Sequence, residues 1–272
     1  MTLPSSGAIS LNQIHIEAGG SSGTSASLND ADIRGLIGLS SGATNAFNAY
    51  YGVAASAPTA TYIGHLQTTS DGFPDGWLNF STGNKIIVIA LSLAGKNNTF
   101  VSVGGTNLTQ GPHLDGPSTN SNVWQNQGTV AIYYLETTLS GTRNVQGNGG
   151  SGRSRLYAWE ITGYNSATPY STGTVQNNSS SSFEATLSLS TQYNGVTIGA
   201  GLTEDTSPAD SVTVDNSDLL YQEDLESATN HFSWRDQGAS SGTTNYRADQ
   251  NNPATNQNAG STIMKLAGAH WK

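Results

Sequence analysis

Lys85-Ile86-Ile87-Val88-Ile89-Ala90-Leu91-Ser92-Leu93 is an almost wholly apolar run bounded by turn residues. A strand with one wet face would alternate, so this stretch reads as a central strand buried on both faces. Working outward, Thr129–Leu135 and Leu156–Ile161 are rich in β-formers. Phe183–Leu189 alternates cleanly, with Phe183, Ala185, Leu187 and Leu189 inward. Val196–Leu202 and Ile263–Trp271 complete the set, and Gly, Asn and Ser clusters separate its members. Many short strands with polar turns predict a mainly β body, an antiparallel sandwich or jelly roll. No repeat of fixed period is legible, which argues against a propeller, β-helix or solenoid.

The first forty residues have a different period. Ser10-Leu11-Asn12-Gln13 has the form of a capping box; Leu11, Ile14 and Ala18 follow on one face, and Gly19-Gly20 closes the turn. Ser27-Leu28-Asn29-Asp30 repeats the signature ahead of Ile33, Leu36 and Ile37. Helices this short are marginal alone, so the head must pack on something. The chain therefore divides into a small helical module (1–52), a linker (53–60) and a β-sandwich body (61–272).

Charged residues are only 11% of the chain and balance at −9, which argues against a polyanion binder because phosphate affinity comes from Lys and Arg. Nucleic acid is not an expected partner. Without cysteine, disulfides, zinc–thiolate sites and cysteine nucleophiles are excluded. The opening residues lack a secretory signal, and the longest apolar stretch, Ile86–Leu91, is far short of the ~18 residues of a spanning helix. A soluble, uncleaved chain without membrane insertion is expected.

Catalytic motifs occur only in contexts that fail them. Gly147–Gly152 matches the dinucleotide-binding pattern, but a β-rich segment follows where a helix is needed. Gly38–Gly42 and Gly238–Gly242 match the nucleophile elbow without its strand-to-helix turn. In so glycine-rich a chain these read as loops. The histidines, His15, His65, His113, His231 and His270, share no metal-site spacing. Eight of the nineteen acids fall between Glu204 and Glu226, a cluster read as solvated loops rather than as a Ca²⁺ or glycosidase site. No catalytic residue, cofactor or metal is expected. Trp159 and Trp271 lie in apolar strands and read as core. Trp124 and Trp234 lie among Asn, Gln and Asp, where an indole can hold a sugar ring or anchor an interface, and they are the candidate glycan contacts.

Leu3-Pro4-Ser5-Ser6-Gly7-Ala8-Ile9-Ser10, continuing through Glu17-Ala18-Gly19-Gly20 and Ser27–Arg34, resembles the amino-terminal module of tail-fibre and other virion structural proteins of tailed bacteriophages, especially those of marine bacteria. The likeness covers about the first 52 residues. Val130–Tyr134 and Trp159–Tyr164 resemble a β-sandwich domain of phage structural proteins. The resemblance implies a non-enzymatic virion component that docks onto other virion proteins by its head and displays its body. A tail fibre or fibre-like host-recognition subunit is the leading expectation, with capsid decoration or a head spike as the alternative and a glycan depolymerase behind both. A homo-oligomer is expected, a trimer by analogy, with a host surface glycan as ligand. The docking candidates are Leu3, Pro4, Ile9, Leu11, Ile14, Ile33, Leu36 and Ile37, a stripe expected to be too short for a core of its own.

Overall fold

The computed structural model describes residues 3–37, 39, 44–52, 57–68, 72–93, 100–115, 128–148, 154–179, 184–192, 194–204, 211–224, 229–239, 241–250 and 262–272. The body is mainly β, and its strands pair antiparallel throughout the described residues. The strand Lys85–Leu93 is buried along its whole length, as its sequence predicts.

Its sheet has the order β1 (Thr59–Thr68), β9 (Ser154–Thr162), β3 (Lys85–Leu93), β7 (Thr129–Thr137) and β6 (Thr109–Leu114). One face of β3 carries Ile87, Ile89 and Leu91 into a core shared with an outer sheet. That sheet has the order β2 (Gly76–Phe80), β8 (Gly141–Gly147), β4 (Val101–Val103) and β5 (Thr106–Asn107). The other face carries Ile86, Val88 and Ala90 against a second inner sheet. This one runs β10 (Ser171–Ser179), β17 (Thr262–Trp271), β12 (Gly195–Glu204), β15 (Thr229–Ala239) and β14 (Leu219–Asp224). A second outer sheet of β11 (Glu184–Thr191), β16 (Gly242–Gln250) and β13 (Val212–Val214) covers its far side. The body is thus two sandwiches stacked on their inner sheets, four layers rather than the two that a single sandwich has.

The two sandwiches share one topology. Reading β1, β9, β3, β7, β6 as β10, β17, β12, β15, β14 maps one inner sheet onto the other, and β2, β8, β4 map onto β11, β16, β13. Contacts across the seam obey the same exchange, with β7 against β17 and β15 against β9. A pseudo-twofold axis therefore runs along the strands, with β3 and β12 side by side in the same direction. The doubling is one of topology, not of a fixed-period sequence repeat. Asn84 and Asn194 precede equivalent strands, and Ile86, Val88 and Ala90 match Val196, Ile198 and Ala200, all in the seam. Only the inward positions agree, and any apolar residue satisfies them, so the repeat has no residue signature.

The seam is mostly apolar and is pinned by a few buried hydrogen bonds. Trp159 Nε1 donates to Ser233 Oγ at 3.0 Å, and the serine hydroxyl donates to Gly199 O at 2.7 Å. The Tyr157 hydroxyl donates to His231 O at 2.7 Å. Ser92 Oγ donates to Gly201 O at 3.1 Å and meets His231 Nδ1 at 2.7 Å. Trp159 and Trp271 are fully buried here, as expected of core. Each large side chain so enclosed contributes roughly 1.5–3 kcal/mol.

The head has its own small core, formed by Leu3, Ile14, Ala18, Ile33 and Tyr50, with Ile9, Leu11, Leu36 and Ile37 packed around it. Of the predicted stripe from Ile9 to Ile37, only Ile14 and Ile33 are buried in it; Leu3, Ala18 and Tyr50 complete the cluster. The chain closes the module by returning to its start: Gly52 N donates to Pro4 O at 3.0 Å and the Tyr51 hydroxyl to Gly7 O at 2.5 Å. Helix α1 (Leu11–Glu17) carries the predicted box, with Gln13 N donating to Ser10 Oγ at 3.2 Å and Ser10 N to Gln13 Oε1 at 2.7 Å. Ser10→Ala should cost the head ~1 kcal/mol, seen as a several-fold faster amide exchange at Gln13. Helix α2 (Ala31–Gly35) starts three residues later than the second signature implies. There Ser27 N donates to the Asp30 carboxylate and Asn29 N to the Ser27 hydroxyl, so the motif makes a turn ahead of the helix.

The linker ends earlier than residue 60. Thr59 and Ala60 already belong to β1, and the segment is stitched to β15. Arg235 donates to Ala60 O at 2.6 Å, Ala60 N to Gln237 Oε1 at 3.0 Å, and the Gln237 amide to Pro58 O.

Candidate functional site

The body has two unlike ends. At one, β1 begins, β17 finishes at Trp271, and the Lys272 side chain reaches Gly19 of the head. Burial lowers the Lys272 ammonium below its ordinary pKa, and the Glu17 charge partly offsets this. At the other end Leu93 pairs with Ser154 and Thr129, and Glu204 with Thr229 and Ile263. Hydrogen bonds of Ser92 and Tyr157 to His231 and Gly201 put these two sets of strand ends at the same pole. The strands on either side of 94–99, 116–127, 149–153, 205–210, 225–228 and 251–261 all terminate there. The head is proximal and this pole is distal.

Buried polar groups gather beneath the distal pole. Arg155, Lys265, His231, Ser92 and Thr129 are all within 3% of complete burial. Lys265 donates to Gly128 O, and the Thr129 hydroxyl donates to the Asp115 carboxylate at 2.7 Å. Burial pushes the His231 pKa down to about 3, with the Arg155 charge adding to the shift and the Ser92 contact opposing it.

The distal half of the first outer sheet presents an indole to solvent. Trp77, on the edge strand β2, is 67% exposed, the most exposed of the large apolar side chains among the described residues. It stands opposite Asn144 of β8, and Asn79 stands opposite Thr142. Alternation about Leu78, Phe80 and Val145, which face the core, puts Trp77, Asn79, Thr142, Asn144 and Gln146 on the outer face. That row holds no charged side chain. At its distal edge Phe100 is 38% exposed and its amide donates to Asn148 Oδ1 at 3.2 Å.

The glycan candidates named from sequence fare differently. Trp234 is fully buried against Phe232 and Tyr246, with ring centroids 6.1 and 6.2 Å away, and belongs to the core between the second pair of sheets. It offers no face to a ligand, which corrects the sequence reading; its polar neighbours in the chain are the alternate residues of a buried strand. Trp124 lies outside the described residues, between strands that end at the distal pole. Sequence reasoning missed Trp77, whose signal is a lone tryptophan between Gly76 and the alternating Leu78-Asn79-Phe80.

Of the docking candidates, Leu3, Ile14 and Ile33 are buried inside the head, while Pro4, Ile9, Leu11, Leu36 and Ile37 are half-buried. Phe47, not named from sequence, is 40% exposed. Gly238 (φ 85°) and Gly242 (φ 128°) frame the β15–β16 hairpin; Gly147 ends β8, and most of Gly147–Gly152 lies outside the described residues. Most of Gly38–Gly42 lies outside the described residues. So does much of the acidic cluster, including Asp205, Asp210 and Glu226. Of its remainder, Asp218 is held by both ends of the Arg235 guanidinium, at 3.1 and 2.7 Å. The five histidines stay apart: His15 meets Thr24, His65 meets Tyr62, and His113 lies 3.2 Å from Asp115. Among the described residues no three His, Asp or Glu side chains gather as a metal site, and no helix is long and apolar enough to cross a membrane.

Compared with protein-family models, with curated proteins and with solved structures, the chain matches none.

Proposed function

We propose that this chain is a non-enzymatic virion structural protein, a tail fibre or fibre-like host-recognition subunit. In this reading the head docks onto the particle, and the distal pole and the Trp77 face meet a host surface glycan. The polarity of the fold carries the reading. A self-closed module with its own core sits at one end of the strands, and an exposed indole lies toward the other. An uncharged row of amides and hydroxyls beside a tryptophan suits a sugar ring, which stacks its C–H face on the indole and exchanges hydrogen bonds at its hydroxyls. Docking falls to the outward edges of Ile9, Leu11, Leu36 and Ile37, together with Phe47.

Immunogold labelling of purified particles, with antibody against residues 61–272, tests the assignment. Gold confined to the tail is the expected result; gold over the head would transfer the chain to capsid decoration. Particles carrying Trp77→Ala should assemble at wild-type levels and adsorb to host cells at least tenfold more slowly. Unchanged adsorption would remove Trp77 from recognition.

A further inference from the structure

The two sandwiches part company at one turn. Gly104 N donates to Asn144 O at 2.8 Å after β4, and Asp215 N donates to Arg247 O at 2.9 Å after β13. These are the same bond in the two copies, because Val103 pairs with Val145 as Val214 pairs with Ala248. In the first sandwich Gly104 and Gly105 make the turn, and the side chains of Arg143 and Leu139 close over it, at 3.4 and 3.8 Å from where a Gly104 Cβ would stand. In the second the turn is Asp215-Asn216, with Asn216 at φ 61°. A cleft of about 610 Å³ lies there, within the usual range of small-molecule sites.

Asn216, Ser217 and Asp218 form one wall and Thr243 and Asn245 the other, with Asp236 between them. The walls are fixed to each other. Asn216 Nδ2 donates to Asn245 O at 2.8 Å, and the Ser217 hydroxyl to Val214 O at 2.7 Å. Behind them the Tyr246 hydroxyl donates to Asp236 Oδ2 at 2.8 Å and lies 2.8 Å from the buried Thr197 hydroxyl. These bonds, with Ser188 Oγ donating to Asn245 Oδ1 at 2.7 Å, hold the walls in place.

Those groups select a ligand class. The cleft is lined mainly by polar groups, with Ala239 among them, so a drug-like apolar ligand would gain little. An anion would face two carboxyl groups. A hard cation seeks several uncommitted carboxylate oxygens, and Arg235 already occupies those of Asp218. What remains is a neutral molecule whose groups both donate and accept, matching side-chain amides, hydroxyls and a carboxyl group. We propose that this cleft is a saccharide-binding site, taking a neutral sugar by hydrogen bonding and acting independently of Trp77. Its ligand class rests on the groups of the cleft and does not depend on the virion reading.

The intact chain is applied to a printed array of neutral oligosaccharides, and the strongest binder is titrated by calorimetry. Asp236→Asn keeps an acceptor for Tyr246, and Asn245→Ala keeps the backbone carbonyl that Asn216 uses; unchanged thermal unfolding midpoints certify both folds. Each variant should weaken binding at least tenfold. Absence of binding to every neutral oligosaccharide overturns the proposal, as does binding that survives in both cleft variants. Abolition by a chelator also overturns it, because a cation would then be the occupant. Failure here with Trp77 still required for adsorption would leave the display reading standing.

Discussion

Gly199→Ala should destabilise the body by more than ~3 kcal/mol, more than a typical overpacked core site. An added Cβ would stand 2.1 Å from Cζ2 of Trp234, a rigid ring that is itself fully buried. Gly201 has the same relation to Phe232, at 2.0 Å. These two glycines make a flat floor on β12 across which the rings of the neighbouring strand β15 lie. The rings cannot retreat, because Tyr246 and the second outer sheet close the space above them. Denaturant unfolding followed by tryptophan fluorescence reads the loss directly. A shift below ~1 kcal/mol would mean that the layer can repack, against the close packing expected of interiors.

Stability should also fall by about 5 kcal/mol between pH 7.5 and pH 4.5, by linkage to His231 and His270. Burial pushes their folded-state pKa values down to about 3 and about 4, with the Arg155 and Lys272 charges adding to the respective shifts. The unfolded chain takes up a proton at each histidine near pH 6.5, while the folded chain stays neutral there. The contribution is therefore complete above about pH 6.5 and is lost as the pH falls through about 6.5 toward about 4 and then 3. Asp236 works in the opposite sense. Burial raises its carboxyl pKa, the Tyr246 hydrogen bond lowers it and Asp218 raises it, so the folded state gains a little there on acidification. His231→Gln should remove about half of the difference between the two pH values, whatever it does to stability at either one. An unaltered difference would mean that another group carries the acid response.

The central strands were legible because both their faces are apolar. Lys85–Leu93, Leu156–Ile161 and Val196–Leu202 needed no tertiary knowledge, nor did the alternation Ala185, Leu187, Leu189. Strands such as β8 (GTRNVQG) and β10 (STGTVQNNS) were not, because a strand at a sheet edge or in an outer layer is half solvated and shares the composition of a loop. The doubling was hidden for a related reason. It is written in which strand pairs with which, and pairing partners are far apart in the chain. Trp234 was misassigned because its neighbours His231, Ser233 and Arg235 are polar, yet they face the seam, where Ser92, Trp159 and Ala60 receive them. Trp77 could not be told from core until the edge of its sheet was known.

The common direction of β3 and β12 bears on how the molecule takes a load. A pull between the head and the distal pole runs along the strands, and the chain passes the pull from the head into β1 at Thr59. From Thr59 opposite Thr162 to Thr68 opposite Ser154, the hydrogen bonds joining β1 to β9 lie across that direction. They are strained together in shear instead of being peeled apart one at a time. Arg235 and Gln237 clamp the point of entry to the other sandwich, so tension reaches both halves of the body before any strand can slide.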